Sequence, residues 1–147
     1  MQIVCLKWGD RFSSDHVNRL YEMVKRNFHD DFKFICHTED PTNINPSIKI
    51  VPLELEYELE KWWWKMCLFK YPTNETTIFL DLDVVIQNDI THLKDYAIQD
   101  KLCLVKSYWK PYNTDVNINS SVMVWKGDLT ELWNIFEENL EVYLMTL

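Results

Sequence analysis

Two aspartates separated by a single residue, Asp81 and Asp83, interrupt the otherwise apolar run Ile78-Phe79-Leu80-Asp81-Leu82-Asp83-Val84-Val85-Ile86. Alternate residues of a strand point to the same side, so a regular strand would send both carboxylates into one environment. An unpaired carboxylate does not stay charged in a dry core. Placing the pair at the carboxyl end of the strand, where the backbone leaves the sheet, removes the conflict. There two hard oxygen donors can share a divalent cation, Mn or Mg rather than zinc, and the phosphates it carries. Two carboxylates do not complete a coordination shell, so water and diphosphate oxygens would fill it, an arrangement suited to a nucleoside diphosphate ligand. The competing reading makes the two residues capping or turn acids at the rim of the sheet.

Other residues could serve the same chemistry. Lys65 precedes the acidic pair on a segment able to cover that end of the sheet, either as a flexible cation for phosphate or as a lysine that snorkels from an apolar helix. Lys7, Trp8, Gly9 and Asp10 follow the first apolar run, at the edge where open α/β sheets bind ligands. Trp8 there can stack on a base or fill the core, and Asp10 can accept a base or ribose hydrogen bond. With one glycine in the loop, this is not the dinucleotide-binding glycine motif. Asn117, Asn119, Ser120 and Ser121 suit sugar hydroxyls or form an ordinary turn, while Trp109 and Tyr112 offer flat faces to carbohydrate rings. Asp115 is a candidate base, sugar acceptor or solvated loop acid. No nucleophile motif is present.

These groups need elements to position them. Residues 2–8 read as a strand ending at Gly9, Ser13 and Ser14 as caps, and Val17, Leu20, Tyr21, Val24 and Phe28 as the stripe of a helix. A strand at 32–37 completes a βαβ unit and hence an α/β sheet. A loop with a short strand at 48–51 follows, then Glu54, Glu56, Glu58 and Glu60 alternate with apolar residues as an extended segment. Residues 61–70 (KWWWKMCLFK) form a short helix, whose three adjacent tryptophans cannot all face one way. One of them must address a cleft, a loop or a partner. The polar stretch 73–75 is a loop before the central strand at 77–82, with a further strand at 102–106 and an apolar run at 122–125. The closing helix carries Asp128 as N-cap, Glu131 as the capping-box acid, and Leu129, Leu132, Phe136, Leu140 and Tyr143 on its apolar stripe.

At 147 residues the chain is one domain, and 47% hydrophobic residues with seven tryptophans exclude a disordered tail. A net charge of -8 argues against a nucleic-acid partner, although the local lysines 61, 65, 70, 106 and 110 suffice for a small phosphate ligand. Cys5, Cys36, Cys67 and Cys103 show no CxxC spacing and read as small buried hydrophobes in a reducing compartment. With no apolar stretch long enough to span a bilayer and no signal-like N-terminus, a soluble, cytoplasmic protein is expected.

The ordered blocks VCLKWGD, HVNRLYEMVKRNF, FKFICHTEDP, WWWKMCLF, TIFLDLDVVI and NINSSVMVWKG resemble small nucleotide-sugar glycosyltransferases of the GT-A fold, over roughly residues 2–138. The resemblance implies a three-layer α/β/α sandwich around a mostly parallel, mixed, Rossmann-related sheet, forming a single domain short at its C-terminal side. It implies a nucleoside diphosphate sugar as donor, UDP-sugar favoured, a carbohydrate acceptor, and Mn or Mg as cofactor. Lys7, Trp8 and Asp10 would bind the base, and Thr38, with Asp40 near it, would approach the nucleotide. Lys65 would face the diphosphate or sugar. Asp83 would hold the metal directly, and Asp81 would reach ribose and metal. Asn119, Ser120 and Ser121 match an Asn-Ser-Gly-like block, with serine in place of glycine. Asp115 would be the base of an inverting reaction. Relatives commonly run longer and supply a further metal ligand, often histidine, whereas no histidine follows His92 here. A nucleotide-sugar binding module without turnover and an assembly protein, dimeric through its tryptophan-rich surface, are the alternatives.

Overall fold

A computed structural model describes residues 1–53, 59, 61–107 and 118–145, without the side chains of Lys61 and Leu144. The fold grows from β1 (Gln2–Lys7), whose apolar residues are buried on both faces, as expected of an interior parallel strand. Helix α1 (Ser14–Asn27) follows, presenting Val17, Leu20 and Val24 to the sheet. Its entry is held by Ser13, whose backbone N–H donates to His16 Nδ1 at 3.3 Å, while the His16 N–H donates to the Ser13 carbonyl at 3.1 Å. Strands β2 (Lys33–Thr38) and β3 (Lys49–Pro52) then extend the sheet in parallel.

The chain returns through a 3₁₀ segment, Lys61–Phe69, to β4 (Thr73–Leu80), parallel to β1 on its other side. A second 3₁₀ segment, Thr91–Tyr96, leads to β5 (Cys103–Lys106) and β6 (Ile118–Gly127). The order is β3-β2-β1-β4-β6-β5, with β6 antiparallel to both neighbours. Helices α2 (Thr130–Glu138) and α3 (Leu140–Met145) close the described chain.

Strand alternation sorts the core into two layers. Ile3, Cys5, Phe34, Cys36, Ile78 and Leu80 pack under α1, whereas Val4, Leu6, Ile35, Phe79, Met123 and Trp125 pack under Trp64, Phe69, Trp133 and Phe136. The architecture is the expected mixed α/β sheet with helices on both faces. Cys5 and Cys36 are register partners, fully buried as free thiols, and burial pushes the Cys5 thiol up. Cys103 is only half-buried. Among the described residues no helix is long and apolar enough to cross a membrane.

Several local expectations are corrected. The stretch 73–75 belongs to β4, because Thr73 pairs with Gly127 before a bulge lets Thr77 pair with Trp125. The short helix expected at 61–70 is present over Lys61–Phe69 and winds as 3₁₀. The closing helix starts at Thr130 with Leu129 as N-cap; Asp128 instead accepts from the Thr130 N–H and hydroxyl at 2.9 and 2.6 Å. It breaks at Asn139, whose N–H bonds to the Phe136 carbonyl, so Leu140 and Tyr143 fall on α3. The alternating glutamates at 54–58 and 60 lie outside the described residues.

Candidate functional site

Strand β4 ends one residue before Asp81, and the backbone leaving the sheet is satisfied at once. The Asp81 N–H donates to the Ser121 carbonyl at 2.9 Å, and the Val84 N–H closes a turn onto the Asp81 carbonyl at 3.1 Å. The two acids therefore occupy a turn at the carboxyl end of the central strand, the position both sequence readings shared. They do not meet the same environment. Asp81, two residues after Phe79, continues on the Phe79 face, with its side chain 25% exposed; Asp83 is exposed.

Lys65 answers Asp81. Its ammonium lies 2.8 Å from each carboxylate oxygen, donates to the Ser120 carbonyl and hydroxyl at 3.2 and 3.1 Å, and sits 5.1 Å from the Phe79 ring centroid. With the Lys65 side chain 16% exposed, this charge pair ties the 3₁₀ segment, the β4 turn and β6 together. Among the described residues the Asp83 carboxylate has no hydrogen bond or ion pair.

A cavity of about 570 Å³ opens beside this turn. Its floor is Leu6 and Leu82, its aromatic walls are Trp8, Phe12 and Trp62, and its charged rim is Arg11, Lys65, Asp81 and Asp83. It lies between the carboxyl ends of β1 and β4. There the strand order reverses, since β2 and β3 extend one way from β1 and β4 lies the other way, and open α/β sheets bind ligands at that crevice. A groove of about 720 Å³ along the outer face of α1 shares Leu82 and Asp83 with it. Gly9 holds the turn after β1 at φ +59°, and its N–H donates to Glu39 at 2.6 Å.

Among the described residues no group of three or more His, Cys, Asp or Glu side chains could hold a metal ion. The donor set at the turn is two hard carboxylates, one unengaged and one shared with Lys65. That set fits a Mg- or Mn-class ion whose remaining ligands are water and ligand phosphates, and does not fit a closed protein cage.

The other expected residues scatter. Trp8 lines the cavity and leans on Trp64, ring centroids 6.5 Å apart, so it joins both wall and core. Lys7 does not line it: alternation puts Lys7 in the α1 layer, 6% exposed, in register with Thr38. Thr38 is also buried, its hydroxyl bonded at 3.1 Å to the backbone N–H and carbonyl of Asp40. The Asp40 carboxyl is held below its usual range by hydrogen bonds from Thr42 and, more weakly, by the Lys7 charge. Asp10 is exposed and off the cavity lining. Ser120 contacts Lys65, and the Asn119 side-chain oxygen accepts the Ser121 N–H at 2.8 Å. Asp115, Asn117, Trp109 and Tyr112 lie outside the described residues.

Sequence reasoning passed over Arg11 and Phe12, which follow the noted Gly9-Asp10 turn directly. It left open which tryptophan of 62–64 faces a cleft. Trp64 is buried, Trp63 stacks on Phe136 at 5.2 Å and meets the Tyr143 ring at a tilt at 5.1 Å, and Trp62 is 56% exposed on the cavity.

The fold is one found in solved glycosyltransferase structures. Galactosyltransferase LgtC, crystallised with donor and acceptor sugar analogues, matches with a TM-score of 0.69 at 14% identity, over 100% of this chain and 66% of LgtC. Glycosyltransferase GlyE of Streptococcus pneumoniae TIGR4 matches with a TM-score of 0.61 at 12% identity, over 99% of this chain and 38% of GlyE. An active-site mutant of LgtC gives 0.57 at 13% identity, over 90% of this chain and 59% of that one. The likeness is one of fold, and the chain spans just under two thirds of LgtC and well under half of GlyE. No family model matches the chain, and no curated protein sequence matches it.

Proposed function

We propose that this chain transfers a sugar from a nucleoside diphosphate sugar, UDP-sugar favoured, to a carbohydrate acceptor. The observation that carries the reading is the Asp81-Leu82-Asp83 turn, set with Lys65 at the crevice where the sheet order reverses. The fold shared with LgtC and GlyE supports it.

In such a transfer the bond from the anomeric carbon to the diphosphate oxygen breaks, and one from that carbon to an acceptor hydroxyl forms. Negative charge grows on the departing diphosphate. Asp83 and Asp81 would hold Mn or Mg, which when bound would supply the Lewis acid for that charge. Arg11 and Lys65 add fixed positive charge on the rim, and Lys65 orients Asp81 through both carboxylate oxygens. Trp8 and Phe12 offer ring faces to the base, and the apolar floor excludes water.

Calorimetric titration of UDP, GDP and UDP-sugars, with and without Mn, tests the site on wild type and on Asp83→Ala. Nucleotide binding that needs both Mn and Asp83 is expected. Metal-dependent binding left intact in the variant would sink the assignment, and binding without transfer to any acceptor sugar would make the chain a donor-binding module.

A further inference from the structure

The two cations on the cavity lining, Arg11 and Lys65, are not equally available to a ligand. An ammonium carries three N–H donors. That of Lys65 already meets four acceptors, both Asp81 carboxylate oxygens at 2.8 Å and the Ser120 carbonyl and hydroxyl at 3.2 and 3.1 Å. Drawing it onto a diphosphate would break the contacts that tie the 3₁₀ segment, the β4 turn and β6 together.

Arg11 is exposed, and its charge is spent differently. Among the described residues its guanidinium has no hydrogen bond or ion pair, and it lies over the Phe12 ring, 5.4 Å from the centroid. Phe12 is fixed in turn, packed against the α1 layer and edge-on to the His16 ring at 5.1 Å. A cation resting on a ring face keeps its hydrogen-bond donors. The guanidinium is therefore placed by an apolar contact while its N–H groups stay unspent.

The path of the chain brings this group to the acidic turn. Strands β1 and β4 are parallel neighbours, Val4 in register with Phe79, so their carboxyl ends lie side by side. Arg11 follows β1 through the Gly9 turn, Asp83 follows β4 through the turn that Val84 closes, and both line the same cavity. Charge points the same way. On that lining Lys65 and Asp81 cancel, and Asp83 offsets part of the charge of a divalent ion, leaving one positive charge. A nucleoside diphosphate sugar brings two negative charges, and the Arg11 guanidinium supplies the positive charge still missing.

We propose that Arg11 is the residue that hydrogen-bonds the diphosphate of the donor, through the paired N–H groups of its guanidinium. This deepens the donor-site reading and rests on it. A guanidinium takes two phosphate oxygens at once, whereas a lysine in its place offers a point charge.

The test titrates UDP and inorganic pyrophosphate calorimetrically in Mn against the whole chain, as wild type, Arg11→Ala and Arg11→Lys, with melting temperatures as the fold control. Hydrogen bonds to a charged group are worth about tenfold or more in affinity. Arg11→Ala should weaken UDP and pyrophosphate alike by that factor, and Arg11→Lys should recover only part of the loss. Unchanged affinities in Arg11→Ala overturn the proposal. So does a loss for UDP with pyrophosphate unaffected, which would put Arg11 on the nucleoside. Full recovery in Arg11→Lys overturns it too, because the arginine would then act as a charge at a distance rather than through its fork. Wild-type binding that needs Asp83 but ignores Arg11 leaves the donor-site reading standing without this residue; wild type that binds neither ligand removes both.

Discussion

Replacing Lys65 with Met keeps an unbranched stem against the Phe79 ring and deletes the ammonium that lies 2.8 Å from both Asp81 oxygens. Exposed ion pairs are worth about 0.2–1 kcal/mol, whereas removing one partner of a buried pair costs about 3–5 kcal/mol. Side chains 16% and 25% exposed lie between these limits, and the Ser120 carbonyl and hydroxyl lose a donor as well. The expected loss is about 2 kcal/mol, or roughly 4–8 °C in Tm for a domain of this size. Urea unfolding of Lys65→Met, Asp81→Asn and the double variant should show a coupling of about 1.5 kcal/mol; additivity within about 0.5 kcal/mol would refute the pair as a structural tie. The variant also leaves Asp81 without its cation, so Mn should raise its Tm by more than it raises that of wild type. Equal shifts would mean that Asp81 takes no part in holding the ion.

Burial, and then the Lys49 charge, lowers the His37 imidazole from 6.5 to about 4. Between those values the unfolded chain takes up a proton that the folded chain refuses, so stability is full above about pH 7 and falls on acidification. Between pH 7.5 and 5 wild type should lose about 2 kcal/mol more than His37→Gln, a urea-midpoint difference of about 1 M; equal losses would refute the assignment. The depressed carboxyls of Asp40, Asp89 and Asp128, each hydrogen-bonded to a threonine two residues on, act at more acid pH, their contribution present above the unfolded pKa and lost as pH falls. The two glycines should separate in urea unfolding. Gly127→Ala puts a Cβ at φ +91° into the Asp100 and Gln99 side chains and 2.9 Å from the Asp100 backbone nitrogen, whereas Gly9→Ala meets nothing within 4 Å at φ +59°. The former should cost about 2–4 kcal/mol and the latter about 1 kcal/mol, and the reverse order would contradict the packing around β6.

The β1–α1–β2 unit was legible because its apolar residues recur with the periods of strand and helix, a local property that the buried sheet then reinforces. The Asp81–Asp83 pair was legible for an electrostatic reason, since acids in an apolar run must stand at its exit. The start of β4 was not: Thr73, Asn74 and Glu75 read as a polar loop, and only pairing of Thr73 with Gly127 across the sheet makes them strand. The helix break at Asn139 was equally hidden within a continuous apolar stripe.

The sequence alone therefore determined the α/β class, the alternation of its central strands, and an acidic turn beside the end of β4, because each follows from local period or from the cost of burying charge. Tertiary structure decided which side chains share the cavity. Lys7 and Thr38 fall in the α1 layer because strand parity carries them there, while Arg11 and Phe12 are brought in by the turn at Gly9. The packing of Trp63 and Trp64 under α2 and against Trp8, in a segment that winds with three residues per turn, leaves Trp62 and Lys65 on the edge that faces the acidic turn. No local propensity separates three adjacent tryptophans; only the surfaces they meet do.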